Sequence, residues 1–221
     1  MPGCRSQAAA LPDLSAAVLP ALLGLALAGC FPLFDTDPEP SYVDNDTDDE
    51  LPSCVDGRWT GDLDYNGLAS AEAIEGCTYI QGDLRIDQTS TSHLDGLEYV
   101  TTVGGSVYVV DNDYLFDLDG LESLIEVEGD LVVLSNYSLT DLQGLEFLMD
   151  IGGDLYVEQN TNLRTILDLQ KLRFLSGYSY TVAQNPELPT CEAEQLAQRL
   201  VDNGFTGTVE IYGNDDAATC E

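Results

Sequence analysis

Apolar residues in the middle of the chain keep two alternating rhythms. In VEGDLVVLSN, Val127 to Asn136, Leu131 and Val133 flank Val132 with a period of two. That period predicts a short strand with one face buried. Just downstream, Leu139, Leu142, Leu145 and Leu148 follow at three-residue steps and fill the rest of a turn. The strand phrase returns as IQGDLRIDQ from Ile80, VGGSVYVVDN from Val103 and IGGDLYVEQN from Ile151, a spacing of 23 or 24 residues. Between its copies runs a second pattern: HLDGLEYV from His93, DLDGLESL from Asp117 and DLQGLEFL from Asp141.

A fixed period of roughly 20 to 29 residues around Leu-x-Leu-x-x-Asn marks a leucine-rich or related solenoid. Each copy is one coil that cannot bury its own apolar side, and stacking the coils buries a continuous core. The expected fold is an α/β solenoid, mostly β, of the right-handed parallel β-helix or leucine-rich-repeat-like kind with short capping helices. Asn112, Asn136 and Asn160 fall in one column, continued one residue late by Asn185. They read as structural, bonding the backbone of neighbouring coils. Gly105, Gly129 and Gly153 precede the strands, and Gly96, Gly120 and Gly144 precede each Leu-Glu. Both sets are expected at tight bends of positive φ. The irregular LSGYSYTVAQN, from Leu175, is one residue long and predicts a bulge. After Pro189-Thr190, CEAEQLAQRLVDNG carries acidic residues in its first turn and Gly204 past its end, which signals a helix. GTVEIYGN, from Gly207, then adds a last strand. At the other end GDLDY, from Gly61, with the helical GLASAEAIEG, from Gly67, forms the matching cap that exposed end coils need.

Charge and the N-terminal segment place this domain outside the cytoplasm. Seven Lys plus Arg against 40 Asp plus Glu give a net charge of -33. Long-range repulsion of that size disfavours nucleic acid and other acidic partners. The apolar run from Ala16 to Ala28 is shorter than the ~20 residues that span a bilayer, so it reads as a cleaved export signal. Its end, Leu27-Ala28-Gly29-Cys30, looks like the lipobox of bacterial lipoproteins, in which the chain is cut before the cysteine and the thiol is lipidated. Residues 1–29 are thus expected to be a lipoprotein signal peptide. Cys30 becomes the membrane anchor, on the outer membrane or cell surface. Residues 30–53 form a tether: Phe31 to Ser53 hold eight acidic residues, no basic ones and four prolines, too little apolar area to offset the entropy of ordering. Asp44-Asn45-Asp46-Thr47-Asp48 opens like a calcium loop, but the sixth and twelfth positions are Asp49 and Val55 rather than Gly and Glu. Beyond Cys4 and Cys30 the chain holds Cys54, Cys77, Cys191 and Cys220. An even set in an exported chain points to disulfides with three possible connectivities, of which the sequence-local one pairs Cys54 with Cys77 and Cys191 with Cys220. A zinc site would compete for these thiols, yet there is no CxxC and one histidine, His93. No cofactor or metal is expected.

The stretch Cys54 to Cys220 resembles the receptor L domain, the ligand-binding module of the insulin and epidermal growth factor receptors and a relative of leucine-rich repeats. Cys54, the segment Cys77-Thr78-Tyr79-Ile80-Gln81-Gly82-Asp83-Leu84-Arg85-Ile86, the Gly-x-Leu-x-Ile phrases and Asn185-Pro186-Glu187-Leu188-Pro189-Thr190-Cys191 carry the likeness. It covers residues 54–221 and implies a recognition module rather than an enzyme.

Candidate chemistry is sparse. A nucleophile–histidine site would have to use His93, which stands where other coils have Asp117 and Asp141, a surface turn. A β-helix carbohydrate lyase or hydrolase would need a basic group on the strand face. There Arg85 stands alone among Asp83, Asp130 and Asp154. A structural acidic envelope protein is the other alternative. The feature that suits binding is an outward row of strand residues, Tyr108, Val132 and Tyr156, flanked by Val110 and Leu134. Coils ~4.8 Å apart turn it into an apolar and aromatic stripe. Asp111, Asp130, Asp154 and Glu158 are expected to rim it, an arrangement suited to a protein or glycan ligand.

Overall fold

The computed structural model describes residues 54–220. The expected signal peptide, the lipidation site Cys30, the tether and the Asp44 calcium-like opening lie outside the described residues. Two parallel sheets of seven strands each build the solenoid. One contains two-residue strands, among them Tyr79–Ile80, Thr102–Val103, Glu126–Val127 and Asp150–Ile151. Cys54–Val55 is the exception to the parallel order, pairing antiparallel with Arg58–Trp59. The other sheet holds the repeated phrase: Leu63–Asp64, Leu84–Asp87, Val107–Val110, Leu131–Leu134, Leu155–Glu158, Ser179–Ala183 and Thr208–Tyr212. Its strands stack in chain order, so each coil pairs with the next.

The two rhythms of the sequence become columns in space. Val107, Leu131, Leu155 and Tyr180 stand in register, as do Val109, Val133, Val157 and Val182, and all are fully buried. The three-residue steps put Leu139, Leu142, Leu145 and Leu148 in the same core from the opposite wall. Burying each such side chain contributes roughly 1.5 to 3 kcal/mol, against an entropy cost shared along the coil. The helix Thr190–Asp202 closes the C-terminal end with Ala193, Leu196, Ala197 and Leu200, and Tyr180 donates its hydroxyl to Ala193 O at 2.7 Å. Leu68–Ile74 is the helix of the N-terminal cap. Disulfides join Cys54 to Cys77 and Cys191 to Cys220.

Two polar ladders run along the stack. In the first, the Oδ1 of each asparagine accepts the backbone N–H of the coil before it: Thr89 to Asn112, Asn112 to Asn136, Asn136 to Asn160, Asn160 to Asn185 and Asn185 to Asn214. Each Nδ2 donates back to a strand carbonyl of the preceding coil, as Asn136 does to Val109 at 2.9 Å. The second ladder sits at the corner before the long strands. Oδ1 of Asp62, Asp83, Asp130 and Asp154 accepts a backbone N–H from the following coil, and Ser106 Oγ takes the same place in its own.

This second ladder corrects the expectation for half of the glycines. Gly96, Gly120 and Gly144 do adopt positive φ, 92°, 116° and 108°. Gly105, Gly129 and Gly153 do not. A Cβ on Gly153 would lie 2.0 Å from Asp130 Oδ1 and 2.8 Å from the Gly129 carbonyl carbon. The residue is glycine because the aspartate and backbone below leave no room, not because the bend is left-handed. Left-handed backbone falls elsewhere, on Gln88, Asp111, Ser135, Gln159 and Gln184, the residue before each ladder position. The expected bulge is also displaced. Residues 180–183 pair without interruption with Leu155–Glu158, and Ser179–Ala183 with Thr208–Tyr212. The extra residue is taken up in the preceding corner, where Asp154 Oδ1 accepts N–H bonds from both Tyr178 and Ser179.

Candidate ligand-binding face

The outward positions of the long-strand sheet form two in-register rows. One runs Asp64, Arg85, Tyr108, Val132, Tyr156, Thr181, Glu210, and the other Asp87, Val110, Leu134, Glu158, Ala183, Tyr212. The first row is apolar and aromatic at Tyr108, Val132 and Tyr156 and charged at both ends, whereas the second begins at Asp87, carries Glu158 beside Leu134 and ends at Tyr212. Strand alternation does this: with Leu131 and Val133 committed to the core, Val132 must point out. Tyr108, Val110, Val132, Leu134 and Tyr156 are brought together as one patch, each half-buried by its neighbours in adjacent coils.

Polar contacts fix the two tyrosines differently. The Tyr156 hydroxyl donates to Asp154 Oδ2 at 3.0 Å. Burial works to raise the Asp154 carboxyl, but the N–H groups of Ser179 and Tyr178 and the Tyr156 hydroxyl outweigh it and hold the acid below its ordinary value. Tyr108 instead has the Arg85 guanidinium 5.9 Å from its ring centroid. That guanidinium is itself held by Asp62 at 2.8 Å and Asp83 at 2.5 Å. Arg85 therefore closes the N-terminal end of the patch as a bound group.

The acidic rim differs from expectation. Asp130 and Asp154 each give one oxygen to the corner ladder, so they position backbone rather than stand free for a ligand. Glu158 lies within the second row, beside Leu134. Asp111 is exposed at a left-handed turn, φ 54°, at the end of its strand.

The most exposed aromatic side chain, Tyr178 at 85%, stands in the corner before Ser179–Ala183, and several others lie off the strand face. Tyr99 and Phe147, 60% and 50% exposed, follow Leu-Glu in their coils. The equivalent position of the next coil is Lys171, whose Nζ stands 3.4 Å from the Phe147 ring centroid. Tyr114 and Tyr137 are exposed by 61% and 63%, next to or just after their ladder asparagines. The signal was present, since HLDGLEYV and DLQGLEFL both place an aromatic after Leu-Glu. It was masked by the strength of the leucine period around it.

Among the described residues no group of three or more His, Cys, Asp or Glu is arranged to hold a metal ion, and no helix is long and apolar enough to cross a membrane. His93 is exposed at its turn, and the neighbouring Asp117 carboxyl is raised chiefly by burial. A comparison with curated proteins finds no match. The model of the family described as Receptor L domain matches residues 76–201, more than half of the chain and all of the coils from Tyr79 to the capping helix. The stacked parallel strands, the flanking cysteine pairs and this match agree: the chain belongs to the receptor L domain family.

Proposed function

We propose that this chain is a cell-surface recognition module that binds a protein or glycan ligand on its long-strand face and performs no chemistry on it. Receptor L domains are non-enzymatic ligand-binding modules, which supports the general reading. The observation that carries the location is the in-register patch Tyr108, Val132, Tyr156, Val110 and Leu134. An aromatic and aliphatic patch of this kind offers dispersion contact to an apolar side chain or to the face of a sugar ring. Tyr108, Val132 and Tyr156 are held rigidly, because each sits between two inward residues of a packed strand, so little entropy is lost on binding.

In this reading the lipobox Leu27-Ala28-Gly29-Cys30 makes the protein a bacterial lipoprotein, anchored through Cys30, with the acidic segment holding the module off the membrane. Two acyl chains or more, at ~0.8 kcal/mol per buried CH2, give lasting attachment. The strong net negative charge keeps the module away from anionic lipid and nucleic acid.

The test is a protein and glycan array probed with the purified chain, followed by Tyr108→Ala/Tyr156→Ala on any hit. The reading requires saturable binding lost in the double variant at unchanged unfolding midpoint. Binding that survives both substitutions removes the strand face as the site. For the anchor, fatty-acid labelling of the expressing bacterium is expected to mark the wild-type chain and not Cys30→Ser.

A further inference from the structure

The long-strand sheet ends on an open edge. Thr208–Tyr212 is its last strand and pairs along its whole length, in parallel, with Ser179–Ala183 alone. The Thr208 N–H donates to Tyr178 O, and Tyr212 O accepts from the Gln184 N–H, both at 2.8 Å. Alternate residues of a parallel strand direct their backbone groups to opposite neighbours. The N–H and C=O of Val209 and Ile211 therefore point away from the sheet, where no further strand follows among the described residues.

The side chains of this strand are as unfinished as its backbone. Val209 stands beside Tyr180 and Ile211 beside Val182, positions that are fully buried in the strand before. Here Val209 is 40% exposed and Ile211 half-buried. The helix Thr190–Asp202 covers the core with Ala193, Leu196 and Leu200 but leaves this lip uncovered. On the outer side Glu210 and Tyr212 are exposed, and Asp215 and Asp216 follow just beyond.

We propose that the Thr208–Tyr212 edge takes up an extended segment of a partner protein, alternating apolar and basic residues, as an added strand. Its backbone would exchange hydrogen bonds with Val209 and Ile211. Its apolar residues would cover the two inward side chains, and its basic residues would stand beside Glu210 and the Tyr212 ring. A second copy of this chain fits poorly. Antiparallel pairing that matches Val209 with Ile211 of the other copy sets Glu210 directly against Glu210, an unfavourable pair. Head-to-tail stacking instead brings Glu210 against Asp64 on the opposite end strand, Leu63–Asp64. Both self-associations are opposed by like charge, whereas a basic strand is attracted.

The probe is a short fluorescein-labelled peptide alternating Val and Lys, titrated with the purified chain and followed by anisotropy. Saturable binding is expected, weakened about tenfold or more by Val209→Pro and by Glu210→Lys. Proline at 209 removes an outward N–H and no bond to the neighbouring strand. Should that variant unfold, the fully N-methylated peptide on the wild-type chain reads the same backbone pairing and is expected not to bind. Tyr156→Ala, two strands in from the edge in the same outward row, is expected to leave the peptide's affinity unchanged. The proposal is overturned by absence of saturable binding, or by equal affinity for a Val–Glu alternation, for the same residues in two blocks, or for the N-methylated peptide. Self-association through this edge, seen by sedimentation and abolished by Val209→Pro, also overturns it.

Discussion

The side-chain oxygen of Asn136 lies 3.1 Å from the backbone nitrogen and 3.0 Å from the Nδ2 of Asn112, one coil earlier. Asn136 is fully buried, so nothing else can satisfy those donors. Asn136→Ala would strand the Asn112 N–H and one proton of its Nδ2 together. A loss of roughly 2 to 4 kcal/mol in urea unfolding is expected, since each buried unpaired group costs about 1 to 3 kcal/mol. Asn214, at the end of the column and half-buried, is the internal comparison. Water can reach its partners, and Asn214→Ala should cost less than half as much.

Gly153 and Gly204 separate two reasons for being glycine. Gly153→Ala pushes a methyl into the Asp130 carboxylate and the backbone of the coil below. Gly204 has φ of 105° past the end of the capping helix, with nothing within 4 Å of an added Cβ. Crowding that cannot relax and a strained dihedral differ in size. The first is expected to lower stability by roughly 3 kcal/mol and the second by about 1 kcal/mol. Thermal unfolding of the two variants side by side measures the difference.

Gln159 sits at φ 58°, a conformation that costs a non-glycine residue roughly 1 kcal/mol or more. Gln159→Gly should therefore unfold no more easily than wild type. Gln159→Val, whose branched Cβ opposes the left-handed region, should lose about 1 to 2 kcal/mol in denaturant titration.

Asp154 and Asp168 should bend the pH profile in opposite directions. The Asp154 carboxyl is held low in the folded chain, so its contribution is full above the unfolded value, near pH 4, and fades as pH falls through the folded one. The stability gap between wild type and Asp154→Asn is expected to hold down to about pH 4 and to narrow below it. Asp168 is raised, first by burial and then by Asp141 and Glu146, against the Leu142 N–H that it accepts. A raised acid favours the fold only while protonated, and that contribution is lost as pH climbs through its folded value. Relative to wild type, Asp168→Asn should gain as pH rises from 3 to 6. Denaturant midpoints across this range give both slopes.

The solenoid was legible because its evidence is repeated: a leucine every three residues and an asparagine every coil leave one arrangement that buries all copies at once. Thr190–Asp202 was legible from its end signals. The aspartate ladder was not, because Gly-Asp before a strand is also ordinary turn chemistry, and only the approach of the next coil shows where Oδ1 goes. Nor was the left-handed column, since Gln88, Asp111, Ser135, Gln159 and Gln184 include no glycine to mark it. The backbone there is set by the ladder residue that follows. The extra residue in LSGYSYTVAQN was counted correctly and misplaced, because counting cannot tell a strand from the corner before it. Of the candidate patch, the row was legible from strand alternation. Its rim was not, since the hydrogen bonds that occupy Asp130 and Asp154 come from other coils.

Each asparagine oxygen serves the coil behind it and each asparagine nitrogen reaches back to the same coil, so every interior unit presents an identical socket and plug. Removing Glu126 to Met149 as a block would bring Thr102–Val103 beside Asp150–Ile151 with Asn160 facing Asn112, a junction indistinguishable from the one lost. Insertion of a duplicate would work equally well. The reach of the recognition surface is thus an integer, changed by whole-unit copying or deletion in the gene without any joint having to be redesigned.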